Sequence, residues 1–338
     1  MESAYPYRIA WHRPAETHVG TSSRAAILEA MEYDAPTSRA RLCTRSGLGT
    51  STVRRACLQL IKEGVLALKY GRDPDSGVSC DLITLGRYPV LPVLELADTY
   101  MVYRLCDTLG QSVFATVRDR GGFCTPEDDL ATLMGQVSTI LRAGTCGLPK
   151  SIPLQPPVLL CPSEETAASK WVERVMVTPP AYHLTPLEAA ALEMRYHAAT
   201  RVASSILHRR VGDAVSIALL ARDPTHRGGG FFPLPCANGL GDALAAQARR
   251  ATPHTREWWY SASEFLTDLC RYLTPDRVVV EMDRPVIEPA ELREHLPPSV
   301  QLVFLQYALN TPSLAHRGAI RLTRRALWDQ MERPAAQT

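Results

Sequence analysis

In the first ninety residues the apolar positions fall first at helical steps and then in two short runs, and that division defines the elements. Over 22–32 Ile27, Leu28 and Met31 share one helical face, with Ser22 or Ser23 as its cap. From Thr37 to Gly64 the three- and four-residue steps resume in two short runs. The first begins at Thr37 or Ser38, whose hydroxyl can take an orphan amide, continues to Arg45 and stops at Gly47. After the tight Gly47-Leu48-Gly49 turn, Thr50 or Ser51 caps a second helix whose stripe is Val53, Ala56, Cys57, Leu60 and Ile61. Two apolar runs follow, Val65–Tyr70 and Val78–Leu85, flanking the Gly/Pro/Asp-rich 71–77, and together they read as a hairpin. Three helices and a hairpin in this order predict a winged helix-turn-helix over 22–86, after a polar lead-in over 1–21.

The helix face opposite the stripe carries short hydroxyls and guanidiniums, the groups that touch phosphates and base edges in a major groove. The predicted DNA-binding set is Ser38 and Arg39 on the first helix, Thr50, Ser51, Thr52, Arg54 and Arg55 on the second, and Lys69 and Arg72 on the wing. The plainer alternative is an αα-hairpin with a solvated basic face.

Beyond a linker at Gly86–Pro89 the pattern predicts strands at Val90–Leu96, Thr99–Asp107 and Gln111–Arg118. A helix follows from Thr125-Pro126 to about Arg142, then a strand at Val158–Cys161. Alanine content and Pro186 predict one long helix over Leu187–His208. Next come a strand at Ala214–Ala221, irregular chain around Gly228–Gly230 and Pro233–Pro235, and helices at Leu240–Arg250 and Trp258–Leu273. The closing series is a strand at Arg277–Met282, a helix at Glu288–His295, a strand at Val300–Tyr307 and a helix over Ser313–Met331.

Composition narrows the function classes. Of 338 residues 46% are hydrophobic and 21% charged, a globular balance, and no apolar run approaches the roughly 20 residues of a membrane span. With no signal-peptide pattern at the start, a cytoplasmic protein without a membrane partner is expected. Nine scattered cysteines form no CxxC pair and read as reduced thiols, mostly small buried hydrophobes. The net charge is +2, and residues 21–87 hold ten Lys/Arg against seven Asp/Glu, so the positive excess lies with the helix-turn-helix. Gly228–Gly230 lacks a P-loop lysine and reads as a flexible loop. His183, His197, His208, His226 and His254 have no evident partner, and Trp258, Trp259 and Tyr260 read as core or dimer interface. No nucleophile elbow, HExxH or Cys/His nucleophile pattern occurs, so no catalytic residue is assigned.

The run SRARLCTRSGLGTSTVRRACLQLIKEGVL resembles the DNA-binding pattern of the repressor/open-reading-frame/kinase (ROK) family. Asp107-Thr108-Leu109-Gly110, the alanine-rich helix ending in Glu193, the strand in TPDRVVVEM and the closing AHRGAIRLTRRALW resemble its effector domain. The resemblance implies an α+β winged helix-turn-helix followed by an α/β two-lobed actin-like ATPase/sugar kinase (ribonuclease H-like) fold over 87–338. Lobe I would span about 88–183 plus the C-terminal helix, and lobe II about 184–316.

It also shows departures. Where family kinases have a glycine-rich first phosphate loop stands Glu95-Leu96-Ala97-Asp98-Thr99-Tyr100, and the second loop's place reads Ala218-Leu219-Leu220-Ala221-Arg222-Asp223. The catalytic Asn-Asp pair is replaced by Leu184-Thr185, and the zinc motif is reduced to Cys236-Ala237-Asn238-Gly239-Leu240-Gly241-Asp242. Glycines let amides approach phosphate, a carboxylate must serve as base, and zinc needs four ligands. The implied protein is therefore not an enzyme and has no cofactor and no metal. It is a transcriptional regulator, expected to repress, that binds a palindromic double-stranded operator as a homodimer or higher homo-oligomer and senses a sugar-like metabolite. The alternative is an ATP-dependent sugar kinase with an appended DNA-binding domain.

Overall fold

The computed structural model describes residues 23–33, 36–73, 76–86, 90–97, 100–120, 124–144, 155–161, 172–194, 196–197, 199–200, 203–211, 215–222, 231–233, 256–282, 288–308 and 311–332. The chain forms two compact units, one of residues 1–86 with 326–338 and one of residues 87–325.

The first unit is built from α1 (Ser23–Tyr33), α2 (Arg39–Ser46), α3 (Thr50–Lys62), β1 (Leu66–Arg72) and β2 (Ser79–Leu85). Ser38 is the N-cap of α2, its hydroxyl accepting from the Arg41 amide at 3.4 Å. Thr37, the other candidate, is buried and exchanges two backbone hydrogen bonds with Ile83 of β2 instead. Gly47 ends α2 at φ +67°, the left-handed conformation that only glycine adopts without strain. A cap by Thr50 or Ser51 does not form. Both lie inside α3, whose N-cap residue is Gly49 without a side-chain bond.

Strands β1 and β2 pair antiparallel from Leu66↔Leu85 to Arg72↔Ser79 and form the wing. The stripe residues Val53, Ala56, Cys57 and Leu60 meet Ile27, Leu28, Met31, Leu42, Leu66, Ile83 and Leu85 in one core. Trp328, near the end of the C-terminal helix α8 (Leu314–Glu332), belongs to the same core.

The second unit contains two five-stranded sheets of identical design. In the first, β3 (Leu91–Leu96), β4 (Tyr100–Cys106) and β5 (Ser112–Asp119) form an antiparallel meander. Strands β6 (Val158–Leu160) and β7 (Tyr182–Leu184) then add parallel to β3, for the order β5-β4-β3-β6-β7. In the second, β8 (Ser205–Val211), β9 (Val215–Arg222) and β10 (Phe231–Pro233) repeat the meander. Here β11 (Arg277–Met282) and β12 (Gln301–Gln306) add parallel, for the order β10-β9-β8-β11-β12. Same order and same directions twice over is the two-lobed actin-like ATPase, or ribonuclease H-like, architecture.

Helix α4 (Pro126–Ala143) covers the first sheet, entering on a Thr125 cap with Pro at its first turn and three acids, Glu127, Asp128 and Asp129, that complement the helix dipole. Leu130, Leu133 and Val137 seal it against Leu94, Met101, Tyr103 and Leu105. On the second sheet, Leu266, Leu269 and Cys270 of α6 (Arg256–Leu273) and Leu292 of α7 (Pro289–His295) pack on Val278, Val280 and Met282.

The long helix expected over Leu187–His208 is two elements. Helix α5 (Pro186–Met194) stops where Thr200 turns its hydroxyl onto the Met194 carbonyl at 2.6 Å, and Ser205–Val211 becomes β8, the central strand of the second sheet. Alanine content favours helix only weakly per residue. Burial of Ile206 and Leu207 between neighbouring strands, with the Ser204 and Ser205 amides held by the Asp276 carboxylate, outweighs it. The short strand β7 carried no sequence signal. The expected helix at Leu240–Arg250, the Cys236–Asp242 segment, Gly228–Gly230, His226 and His254 lie outside the described residues.

Candidate nucleic-acid interface and buried polar centre

On α3, burial of Val53, Ala56, Cys57 and Leu60 forces the opposite face outward. Thr50, Ser51, Arg54 and Arg55 are exposed and Thr52 is half-buried. Arg39 on α2 is exposed as well, but Ser38 is buried and spends its hydroxyl on the helix cap. Lys69 and Arg72 are both exposed. An odd and an even position of one strand project to opposite faces of the wing, so the two do not act as one pair. The acid at the end of α3, Glu63, is drawn away by the Arg24 guanidinium, which forks onto its carboxylate, and by Gln59. Among the described residues no carboxylate pairs with Arg54 or Arg55. Sequence reasoning missed four exposed apolar side chains of this unit: Leu58 on α3, Leu68 and Tyr70 on β1, and Val78 just before β2. The signal was present in Leu58, which falls outside the buried stripe.

The second unit hides its polar groups. Glu95, in β3, ends an apolar run and is buried; its Oε2 lies 3.2 Å from Nε2 of the buried His316 on α8. The other ring nitrogen, Nδ1, is 2.7 Å from Ser313 Oγ, which also accepts from the His316 amide as the cap of α8. Hydroxyl, imidazole and carboxylate in sequence is the order of a hydrolytic relay. Here all three side chains are sealed from solvent, and the serine is engaged as a helix cap, so the arrangement is structural.

A second buried pair lies on the other sheet. Glu281 Oε1 accepts from the Leu314 amide at 2.5 Å, and its Oε2 is 3.6 Å from Nε2 of His208. The N-terminal turn of α8 is thus held by carboxylates from both sheets. Arg104 of β4 reaches Ser112 at 3.1 Å and the Ala308 carbonyl at 3.2 Å, and Arg324 of α8 donates to the Thr108 carbonyl.

A further group joins α5 to α8. Arg321 donates to Glu193 at 2.9 Å and covers the Tyr196 ring at 4.3 Å, while burial lowers the pKa of nearby His197, with Glu193 opposing and Arg317 and Arg321 adding to the shift. His183, exposed, lies 4.0 Å from Glu173. Periodicity marks none of Glu281, Ser313 or His316, because a charge at the end of an apolar strand reads as its boundary.

The segments that depart from the family's kinase motifs make the following contacts. Ala97, just after β3, donates to the Tyr100 carbonyl at the start of β4 at 2.9 Å, and Arg120 donates to the Ala97 carbonyl. Thr185 forms a reciprocal capping box with Glu188: the carboxylate accepts from the Thr185 amide at 2.8 Å, and the Thr185 hydroxyl accepts from the Glu188 amide at 3.2 Å. Of Ala218–Asp223, read as standing at a second phosphate loop, Ala218–Arg222 are part of β9: Ala218–Ala221 pair with β8 and Arg222 with Phe231 of β10, while Asp223 lies outside the described residues. Among the described residues no group of three His, Cys, Asp or Glu side chains could hold a metal ion, and no helix is long and apolar enough to cross a membrane.

A winged helix-turn-helix joined to a doubled actin-like ATPase domain is the class these features define. No family model and no curated protein matches the sequence. Solved structures do. A ROK family transcriptional regulator, a homologue of the E. coli MLC protein, is 14% identical, with 90% of this chain and 96% of that one covered and a TM-score of 0.49. A ROK family glucokinase from Streptomyces griseus is 12% identical over 70% of this chain and 100% of its own, TM-score 0.46. The inorganic polyphosphate/ATP-glucomannokinase from Arthrobacter sp. strain KM is 13% identical over 71% and 100%, TM-score 0.45. All three are likenesses of fold.

Proposed function

We propose that this protein is a sequence-specific DNA-binding transcriptional regulator, acting as a repressor on a palindromic operator as a homodimer, with a second unit that performs no phosphoryl transfer and answers to a sugar-like metabolite. The observation that carries the DNA reading is the outward face of α3, where Ser51, Arg54 and Arg55 are exposed over a fully packed core and, among the described residues, no carboxylate pairs with either arginine. The observation that carries the non-enzymatic reading is Thr185, whose hydroxyl and amide are both committed to Glu188. A hydroxyl in a capping box has neither the charge nor the freedom of a general base. An effector can act on such a regulator only by binding its DNA-competent and incompetent states unequally.

The test is retention of the purified protein on its own upstream region against scrambled DNA at moderate salt. Equal retention overturns the regulator reading. ATP-dependent phosphorylation of any sugar overturns the non-enzymatic one, and a thermal-shift screen with sugars, sugar phosphates and nucleotides tests the effector.

A further inference from the structure

Leu58 is 50% exposed, whereas every other apolar residue of α3 is buried or half-buried. It stands three residues after Arg55, four after Arg54 and seven after Ser51, so the helical repeat places it in the middle of their outward row, which Lys62 continues. The row holds a hydroxyl, three cations and one branched aliphatic group, and no acid. Among the described residues no carboxylate pairs with Arg54, Arg55 or Lys62. A surface that takes this set offers anionic oxygens around an isolated apolar spot. A protein partner is a poor match, because a stable interface covers about 800 Å² on each side and one leucine ringed by cations supplies little of it. The major groove of DNA is a good match. Phosphates line its edges, and the C5 methyl of thymine is the one apolar group on its floor.

We propose that Leu58 reads a thymine methyl in each operator half-site, next to a guanine held by Arg54 or Arg55. This rests on the DNA-binding reading above. Three or four residues advance the helix by about 4.5–6 Å. With about 3.4 Å between successive bases of a strand, the thymine lies one or two base pairs from the guanine. The half-site therefore contains a G–T or G–N–T relation on one strand or across strands.

The experiment selects bound duplexes from a random pool with the full-length protein, then replaces each thymine of the selected site singly by deoxyuridine, which removes only the C5 methyl. One substitution per half-site should weaken wild-type binding about fourfold, the worth of one buried methyl-sized group. The same substitution should leave Leu58→Ala binding unchanged, whereas Leu58→Met keeps the discrimination. Leu58 supports no core, so both variants should keep the wild-type melting temperature. Recovery of no sequence above background ends the DNA reading and this inference with it. A selected site indifferent to deoxyuridine, or a methyl effect that persists in Leu58→Ala, overturns the inference and leaves the DNA reading standing.

Discussion

Gly318 of α8 lies directly against Ala189 of α5: a methyl group placed on Gly318 would stand 1.7 Å from the Ala189 carbonyl oxygen and 2.7 Å from its carbonyl carbon. The obstacle is backbone, which cannot swing aside as a side chain can. Gly318→Ala should therefore force the two helices apart and cost about 3 kcal/mol or more, at the upper end for overpacked cores. Gly135 in α4 is the matched control, since the space around it is open to 4 Å. Gly135→Ala should stabilise by about 0.5–1 kcal/mol through backbone entropy alone. Thermal unfolding of the two variants gives shifts of opposite sign.

Within the first unit, Trp328 fills the core formed by α1–α3 and the wing although it is distant in sequence. Removing it leaves a cavity that a module of this size has little surplus to absorb. Trp328→Ala should lose about 3–5 kcal/mol from this unit, and amides of α1 and α3 should exchange faster. Trp328→Phe should be milder. A core that exchanged as slowly in the Ala variant would remove Trp328 from the stability of the module.

Burial raises three thiols from an ordinary 9.0: Cys57 and Cys270 to about 11 and Cys106 to about 12, and it raises the Tyr103 phenol in the same direction. Between pH 9 and about 11 the unfolded chain gives up these protons and the folded chain keeps them. Stability is therefore undiminished below pH 9 and falls as pH rises through this window. Melting temperature followed from about pH 8 to 10.5 should decline from near 9, and a Cys57→Ala, Cys106→Ala, Cys270→Ala variant should decline less steeply. In the native protein the exposed Cys124 should react with a thiol reagent well before those three.

The sequence was most legible where one physical cause acts alone. Gly47 between two apolar helical periods, and Val78–Leu85 after a Gly/Pro/Asp loop, pointed to the winged helix with boundaries that moved by one or two residues, although the expected cap at Thr50 or Ser51 did not form. The meander from Leu91 to Asp119 was legible for the same reason. It failed at Ser205–Val211, where the strand is dictated by neighbours on both sides, β9 and β11, that no local window contains. It failed again at the buried pairs. Glu95 was visible only as the first residue of the segment standing where a phosphate loop would be, and the partner that explains it, His316, lies over two hundred residues away. On α3 the exposed arginines were legible from the stripe they oppose, whereas Leu58 was passed over because an apolar residue on a helix is first taken for core.

Glu281 holds two partners at once, the Leu314 amide at the start of α8 and the imidazole of His208. Truncating it strips the helix of a charged acceptor and leaves a buried imidazole beside a void. Glu281→Ala should then lose about 3 kcal/mol, the upper end of the cost of leaving a buried donor without its acceptor. Glu281→Gln keeps an oxygen for the Leu314 amide and loses only the charge. Its cost should be smaller, about 1 kcal/mol, the difference between a charged and a neutral hydrogen bond. If the two variants melted at the same temperature, the charge rather than the helix contact would carry the effect, and a Glu281→Gln, His208→Gln double variant would then recover much of the loss. Full additivity in that double variant would show that the carboxylate acts on α8 alone, and that His208 is a neighbour without energetic consequence.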